Sequence, residues 1–309
     1  MKFEKGHFTK AVDSISQASE SFAAGQSLAS KLKKDDLKGV FILSDGLNAN
    51  GSELIRGFNS IIDTKQIITS GCLAGDSGDF KRTWLINERR TSSGIIIALG
   101  FYGDVICAQG SKGGWDQFGI ERRISKSEGN IVFEIDDKPA LDLYEEYLGE
   151  KSKELPASGL LFPMQIRSEK NYNQPLIRTL LGIDRIKKSL TFAGDMPLGR
   201  VVQLMKANFE RLVQGAADAA NVMNSMMIKK IKDQNNTSDI VTIVVSCVGR
   251  RLVLGQRTDE ELEAIQNESK FASNMIGIYS YGELASYEPG AECELHNQSM
   301  TIFTITEAA

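Results

Sequence analysis

The chain has 309 residues, of which 41% are hydrophobic and 25% are charged, and its formal net charge is −4. This is the composition of an ordinary globular protein with enough length for two domains. The basic residues are scattered, so nothing indicates a nucleic-acid-binding surface. No apolar run reaches the roughly 18 residues that a membrane span needs, and the N-terminus lacks the apolar segment of a signal peptide. We therefore expect a cytoplasmic protein that contacts neither nucleic acid nor membrane.

The first third of the chain predicts a helix followed by a strand–helix–strand unit. The apolar spacing of residues 10–33 favours an amphipathic helix. A short buried strand at residues 40–43 leads to a helix over residues 52–62 that Ser52 would cap, and a second strand follows at residues 66–70. Such a unit favours parallel pairing of its two strands with a right-handed crossover.

A glycine-containing loop is expected at residues 71–78, directly after the second strand. Its candidate ligand contacts are Gly71, Cys72, Gly75 and Asp76, because glycine permits a close approach of backbone to ligand. A tight turn would need the same residues. Neither the Walker sequence GxxxxGK[ST] nor GxGxxG occurs here, so a nucleotide site is not favoured.

Further elements are predicted from periodicity and from turn residues. They are an antiparallel meander of residues 83–87, 94–102 and 105–109, a domain boundary that gives domains 1–137 and 138–309, a helix at 140–148, a hairpin of residues 179–184 and 189–195, and a long helix over residues 201–231. Trp115 is expected to cover the core rather than a ligand. Met223 and Met227 are expected in the core of the long helix.

The segment that begins with a β-branched strand at residues 240–245 holds most of the candidate site. Ligands of open α/β sheets bind at the carboxyl ends of such strands, and this one is followed by Cys247, Gly249, Arg250 and Arg251, with Arg257 beyond a turn. If the strand continues, Arg250 and Arg251 point to opposite faces. One of them would then pair with Glu283 or an acidic helix.

Two more strand ends carry polar groups. Tyr279, Tyr281, Gly282 and Glu283 follow or end an apolar strand, and His296 and Asn297 precede the last one. Tyr279 and Tyr281 are two residues apart and should share a face. We predict that the three strand ends form one ligand pocket.

A catalytic alternative is a cysteine-dependent hydrolase or transferase, with Cys72 or Cys247 as nucleophile and His296 as base. The segment around Cys72 departs from the nucleophile elbow GxSxG, because Ser70 stands at the first glycine position. No helix is expected to begin after Cys247. The residues do not require turnover, and we expect a protein that is not an enzyme.

The motifs SCVGRRLVLGQRT, YSYGEL and ELHNQSMTIF resemble the C-terminal half of FIST-domain proteins. The resemblance continues through SDGLNANGSEL, GCLAGDSGDFKRT and LTFAGDMPLG, and it covers roughly residues 39–307 in order, with a FIST N and a FIST C part. It implies a two-domain α/β (mixed α+β) architecture in which helices cover mixed sheets. It also implies a ligand-sensing role in bacterial signal transduction, in the manner of stand-alone family members.

The resemblance further implies partners and cofactors. A stand-alone sensor would act through a histidine kinase or a cyclic-nucleotide enzyme. Some similar proteins are described as haem-containing nitric-oxide sensors, so haem b is one candidate cofactor, with His296 as axial ligand and the arginines near the propionates. Covalent attachment is excluded because CxxCH is absent. A small metabolite such as an amino acid is the other candidate ligand, and a purely protein-binding module is a third possibility.

Overall fold

The computed structural model describes residues 3–167, 175–231, 239–271 and 273–307. It is a mixed α/β structure in which two large sheets are covered by helices, as predicted. The α-helices are α1 Ser21–Leu32, α2 Gly51–Asn59, α3 Ala140–Leu148, α4 Phe209–Lys230, α5 Val248–Leu254 and α6 Asp259–Glu268. None of the helices in these described ranges is long and apolar enough to cross a membrane.

The first sheet has nine strands and carries the candidate site. Its order is β1-β6-β2-β3-β17-β16-β19-β7, with β18 also paired to β17. These strands are β1 Gly6–Ser14, β2 Leu37–Ser44, β3 Ile68–Ala74, β6 Ile95–Gly103, β7 Val105–Lys112, β16 Val241–Cys247, β17 Asn274–Ser286, β18 Cys293–His296 and β19 Met300–Glu307. The two strands β4 Leu85–Asn87 and β5 Arg90–Ser92 form a separate small ribbon.

Two strand–helix–strand units meet at the centre of this sheet. β2 and β3 are parallel, as predicted, with α2 between them. β16 and β17 are also parallel, with α5 and α6 between them. The units lie side by side in opposite directions, since β3 and β17 are antiparallel. Apolar side chains cover these central strands on both faces, which explains why their sequences are continuous hydrophobic runs.

The carboxyl ends of β3 and β16 converge on the middle of β17. Ala74, the last residue of β3, pairs with Ser280, and Cys247, the last residue of β16, pairs with the same residue from the other edge. The register of β3 against β17 shifts between Ser280 and Gly282. Irregularities of this kind re-aim side chains and are common beside functional sites. Polar groups from separate strand ends therefore meet around Ser280.

The second sheet has eight strands in the order β12-β11-β15-β8-β9-β14-β13, with β10 paired to β9. They are β8 Asp116–Glu128, β9 Ile131–Ile135, β10 Lys138–Pro139, β11 Met164–Arg167, β12 Pro175–Arg178, β13 Leu180–Asp184, β14 Ser189–Phe192 and β15 Val201–Lys206. The predicted helix at residues 140–148 is α3, and the predicted hairpin is β13–β14. Each large sheet takes strands from both sides of residue 137, so the division into domains 1–137 and 138–309 stays a prediction about sequence units.

Four of the predicted secondary-structure elements are wrong. The predicted helix over residues 10–33 begins as strand β1, which pairs with β6, and α1 starts only at Ser21. The predicted meander does not form, because β6 lies between β1 and β2 whereas β7 lies at the opposite edge beside β19. The predicted helix over residues 201–231 is strand β15 followed by α4. Its N-cap, Asn208, accepts a hydrogen bond from the amide of Arg211.

The fourth is the loop predicted at residues 71–78, whose first half is the end of strand β3. The cap of α2 also differs from the prediction. The side chain of Asn50 accepts hydrogen bonds from the amides of Ser52 and Glu53, so Asn50 and not Ser52 is the cap. At residues 10–14 and 201–206 the apolar spacing fits a helix and a strand equally well over a few residues. Pairing partners decide between them.

Candidate ligand site

A cavity of about 300 Å³ lies beside the convergence of β3 and β16 on β17. We call it the apolar cavity. Its main apolar lining is Leu47, Leu73, Phe192, Val248, Leu252 and Leu295. This volume is at the lower end of the range of about 300–1,000 Å³ for small-molecule sites, and an apolar lining with few polar groups is typical of them.

One wall of the apolar cavity is an aromatic pair held by a carboxylate. Tyr281 stacks on Phe80 with ring centroids 4.5 Å apart, and both line the cavity. The hydroxyl of Tyr281 donates a hydrogen bond to the carboxylate of Asp76. This carboxylate also accepts hydrogen bonds from the backbone amides of Phe80, Lys81 and Arg82 at 2.8–2.9 Å. These hydrogen bonds, that of the Arg82 amide first, hold the pKa of Asp76 well below its usual range. Burial raises the pKa of Tyr281 to about 12. The wall is therefore a neutral phenol bound to an ionised carboxylate.

An unpaired hydroxyl lines the apolar cavity. The Oγ1 atom of Thr179 is buried and has no hydrogen-bond partner in the described part of the protein. Asn50, also on the lining, is in contrast fully occupied, because its side chain caps α2 and donates to Asp195 at 3.0 Å. Buried polar groups are nearly always paired in proteins. Thr179 is thus a polar group on this surface that a ligand could satisfy.

Cys247 lines the same cavity, at the junction of β16 and α5. The expectation that no helix begins after it is wrong, since Cys247 is the residue that precedes α5. Its thiol is buried, and burial raises its pKa far above the ordinary value. Cys72, inside β3, is also buried, and its pKa is raised to about 12 by burial and by the nearby charge of Glu283. Both cysteines are therefore thiols, not nucleophilic thiolates.

Glu283 lies in the interior of β17, two residues after the cavity residue Tyr281. Its carboxylate accepts hydrogen bonds from the Ser280 hydroxyl at 2.6 Å and from the amide and hydroxyl of Ser299 at 3.2 and 2.9 Å. The residue is fully buried, and this burial raises its pKa to about 7. No described arginine forms an ion pair with it, so the suggested pairing with Arg250 or Arg251 does not form.

Arg250 is instead the centre of a buried cluster on the far side of α5. Its Nε donates to Glu261 Oε1 at 2.7 Å, and its Nη2 lies 2.5 Å from the same oxygen. The remaining donors bind the carbonyls of Gly113, Gln298 and Leu212. The side chain is fully buried and does not line the apolar cavity. Its contacts join α5 to α6 and α4, which is a structural role.

The other arginine candidates and Tyr279 also lie away from the cavity. Arg251 is exposed, and its guanidinium lies over the ring of Tyr279, 4.8 Å from the centroid. Arg257 pairs with Glu260 and Glu210 at 2.6–2.7 Å. Because residues 248–254 are helical, the alternation expected of a strand does not apply to Arg250 and Arg251. The register shift of β17 likewise separates Tyr279 from Tyr281.

His296 and Asn297 border a different, smaller cavity of about 90 Å³, with Trp115 on its wall. Trp115 is buried and donates to the Gln298 carbonyl at 2.9 Å, as expected of a residue that covers the core. His296 donates from Nε2 to the Ala285 carbonyl at 3.1 Å. Burial lowers its pKa to about 4, so the ring is neutral at pH 7. Asn297 donates to the Tyr281 carbonyl at 3.4 Å.

These contacts do not fit an axial haem ligand at His296. Its Nε2 is used by a backbone carbonyl, and the adjoining cavity is far below the volume range of cofactor sites. The predicted arginine partners Arg250 and Arg257 are paired with Glu261 and Glu260. Haem b therefore stays a prediction from the resemblance, which the geometry of this site does not favour.

The four candidate glycines lie at close contacts. A Cβ atom on Gly71 would be 2.2 Å from the Ile42 carbonyl oxygen, so Gly71 serves the pairing of β3 with β2. A Cβ atom on Gly249 would be 2.5 Å from the Gln298 side chain. A Cβ atom on Gly282 would be 2.7 Å from Leu295, whereas one on Gly75 would be 3.2 Å from the Tyr281 ring, which is tight without overlap. Of the four, Gly249 lines the apolar cavity.

The sequence analysis missed a second cavity, of about 390 Å³, which lies between α2, β11, β12 and β18. We call it the arginine cleft. Its charged lining is Arg56, Arg167, Arg178, Asp195, Arg200, Glu292 and Glu294. The one sequence signal was Arg178 in the apolar run PLIRTLL, where a charged residue on a short strand calls for a specific partner.

Fold and site together define a mixed α/β protein with a partly open, mainly apolar cavity where three strands converge. Comparison with known families agrees: a FIST N domain matches residues 1–138 and a FIST C domain matches residues 140–286. The two matches together span most of the chain, which therefore belongs to the FIST family. FIST domains are sensory domains of signal transduction that bind small ligands.

A curated relative has no described function. It is an uncharacterised protein of Methanocaldococcus jannaschii, 27% identical over 195 residues, an alignment that covers 55% of this chain and 36% of the relative. The chain thus spans about a third of the length of the relative that it matches.

Proposed function

We propose that this protein is a non-catalytic, intracellular sensor whose ligand is a small, mainly apolar molecule with one hydrogen-bonding group. The ligand occupies the apolar cavity. The observation that carries the proposal is the unpaired hydroxyl of Thr179 on a mainly apolar lining, at the point where three strands converge. A ligand of this kind would accept or donate a hydrogen bond at the Thr179 hydroxyl and would fill the apolar part of the cavity.

The signal leaves the cavity through the segment that follows Asp76. Phe80 stacks on the cavity residue Tyr281 but is itself 47% exposed, and Asp76 fixes this segment through three amides. A ligand that displaces Tyr281 would break its hydrogen bond to Asp76 and change the surface around Phe80. A sensor shifts a population only through such a difference in contacts between two states. The partner that reads this surface is a histidine kinase or a cyclic-nucleotide enzyme, as the family resemblance implies.

Native mass spectrometry of the full chain after exposure to a metabolite extract tests the proposal. We expect a bound small molecule on the unmodified protein and none on Ala193→Phe, because the larger side chain fills the cavity at a position on its lining. Circular dichroism of the variant checks that the fold is kept. Equal binding to both proteins, or no bound mass on either, would contradict the proposal.

One observation favours the alternative of a cysteine-dependent hydrolase or transferase: Cys247 stands between a strand and a helix at the cavity, as a nucleophile does in a strand–turn–helix elbow. Against it stand its raised pKa and the absence of contact with His296 among the described hydrogen bonds. Labelling with iodoacetamide at mild pH separates the two functions. We expect no rapid labelling of Cys247, whereas fast, selective labelling would favour the enzyme.

The haem hypothesis is tested separately by the absorption spectrum during titration with haem. A strong Soret band that responds to nitric oxide and disappears in His296→Ala would support it. No Soret band at haem excess would remove haem from the list of ligands and leave the apolar cavity for a metabolite.

A further inference from the structure

The arginine cleft contains a buried positive charge that no carboxylate neutralises directly. Arg178 is 4% exposed and lies on β12, on the wall of the cleft. Its guanidinium donates to the carbonyls of Leu295, Ile177 and Asp195 at 3.0, 3.2 and 3.3 Å. In the part of the chain that the structure describes, no carboxylate forms an ion pair with it. Burial therefore lowers its pKa to about 10, with Asp195 and Glu294 opposing this shift from a distance.

A buried guanidinium without a counter-ion is costly. Charged groups inside proteins are almost always paired, because desolvation of a lone charge opposes folding. Three carbonyls satisfy hydrogen bonds but carry no net charge. The lone charge of Arg178 is explained if an anion pairs with its guanidinium when a ligand occupies the cleft.

A polar group without a hydrogen-bond partner lies on the helical wall of the cleft. The hydroxyl of Ser52, in the first turn of α2, is buried and has no hydrogen-bond partner in the described protein. It is independent of Arg178, since it belongs to a different element. A hydroxyl is a good donor to an oxyanion. The unpaired charge of Arg178 and the unpaired hydroxyl of Ser52 therefore both suit an oxyanion ligand.

We propose that the arginine cleft binds a small anion through a carboxylate or phosphate group. This group pairs with the guanidinium of Arg178 and accepts a hydrogen bond from the hydroxyl of Ser52. The forked donors of arginine match either group. One anionic group is enough to balance the single guanidinium of Arg178, so the expected ligand is a small anion.

The cleft adjoins the apolar cavity. Leu295 lines both, and the neighbouring residues Arg178 and Thr179 line one each. The Asn50–Asp195 hydrogen bond of 3.0 Å crosses the wall between them. The anion site is nonetheless separate from the proposed sensor site, and either can exist without the other.

The test is calorimetric titration of the full chain with inorganic phosphate and, in a second arm, with acetate, at millimolar concentrations in chloride buffer. We expect saturable binding in at least one arm, which also identifies the preferred group. Arg178→Gln should weaken that binding about tenfold to hundredfold, as expected for the loss of a charge-assisted hydrogen bond. Ser52→Ala should weaken it by a smaller factor. Arg251→Gln, which removes the same charge from an exposed site outside both cavities, should bind as the unmodified protein does.

If Arg178→Gln does not fold, Arg178→Lys and Ser52→Ala carry the test, because lysine keeps the charge and loses the fork. Non-saturable heats in both arms would overturn the proposal, and so would saturable binding that none of the Arg178 and Ser52 variants changes. The mass-spectrometric test of Ala193→Phe reports on the apolar cavity alone. A bound metabolite there together with no anion binding would overturn the anion site only.

Discussion

The two buried arginines of this protein have opposite surroundings. Arg250 is fully buried in contact with Glu261, and three carbonyls use its remaining donors. Arg178 is as deeply buried, but its contacts are carbonyls alone and it lies on the wall of a cavity. Burial is thus a poor guide to role. The partner set separates an arginine that holds three helices together from one that is left to bind a ligand.

The largest effect is expected at Arg250. Arg250→Met leaves Glu261 buried without its partner, and breaking a buried pair in this way costs about 3–5 kcal/mol in the free energy of unfolding. Urea denaturation measures it. The double variant Arg250→Met/Glu261→Gln should regain part of the loss, because no buried charge remains. A loss below about 1 kcal/mol would mean that the pair is not structural.

A smaller effect is expected from the pH dependence of Glu283. Burial raises its pKa from 4.5 to about 7, so the folded state holds a proton that the unfolded state has lost between these values. Its contribution to stability is fully present below pH 4.5 and is lost as pH rises through 7, by roughly 3 kcal/mol. The difference in unfolding free energy between the unmodified protein and Glu283→Gln should fall over this window.

The control for Glu283 is His296, whose pKa is lowered from 6.5 to about 4. Its contribution has the opposite sign: it is present above pH 6.5 and is lost as pH falls through 4. His296→Asn should therefore remove the loss of stability between pH 6.5 and about 4. This window overlaps that of Glu283, so each contribution is read from the difference between one variant and the unmodified protein. If the stability of Glu283→Gln follows the same pH profile as the unmodified protein, the raised pKa is wrong.

Arg178→Met should cost less than Arg250→Met, about 1–2 kcal/mol without added anion. The variant removes three hydrogen bonds but also relieves a buried charge that no carboxylate balances. Parallel urea curves of the two variants make the comparison direct. An equal loss at both positions would contradict the distinction between them and would make Arg178 a structural residue.

The smallest change in stability is expected at Thr179. Thr179→Val keeps the shape and removes the unpaired hydroxyl, so the free protein should be unchanged or more stable by about 1 kcal/mol. Affinity for the ligand found in the apolar cavity should nevertheless fall about tenfold. A loss of stability with unchanged affinity would show that the hydroxyl has a structural partner and does not contact the ligand.

Local patterns predicted part of this structure. The strand–helix–strand unit of β2, α2 and β3 and the β13–β14 hairpin follow from short-range apolar periodicity and turn residues, and both are confirmed. The helix was predicted from residue 10 because Ala11 and Ile15 have a spacing that suits a helix. The prediction is wrong because this segment is a strand, in which Ala11 pairs with Ala98 of β6. Pairing with a strand more than 80 residues away is not encoded in the local pattern.

The candidate site, like the fold, was predictable in part from the sequence. Strand ends loaded with polar groups indicated a pocket, and the structure brings Cys247, Gly249 and Tyr281 to one cavity, with Asp76 bound to Tyr281. The same reasoning failed for Arg250, since an arginine at the end of a strand has the same sequence signature whether it faces a ligand or Glu261. Which of these holds depends on α6, eleven residues further on.

The sequence by itself determined the elements whose signals are local: the buried β-branched strands, the breaks at glycine and proline, and the motifs that resemble FIST domains. Tertiary structure alone decided the role of each charge. Arg178 meets Leu295 across 117 residues, and Arg250 meets Gly113 across 137. The free energy of a buried charge depends on the groups within a few ångströms. Those groups come from distant segments that only the folded chain brings together.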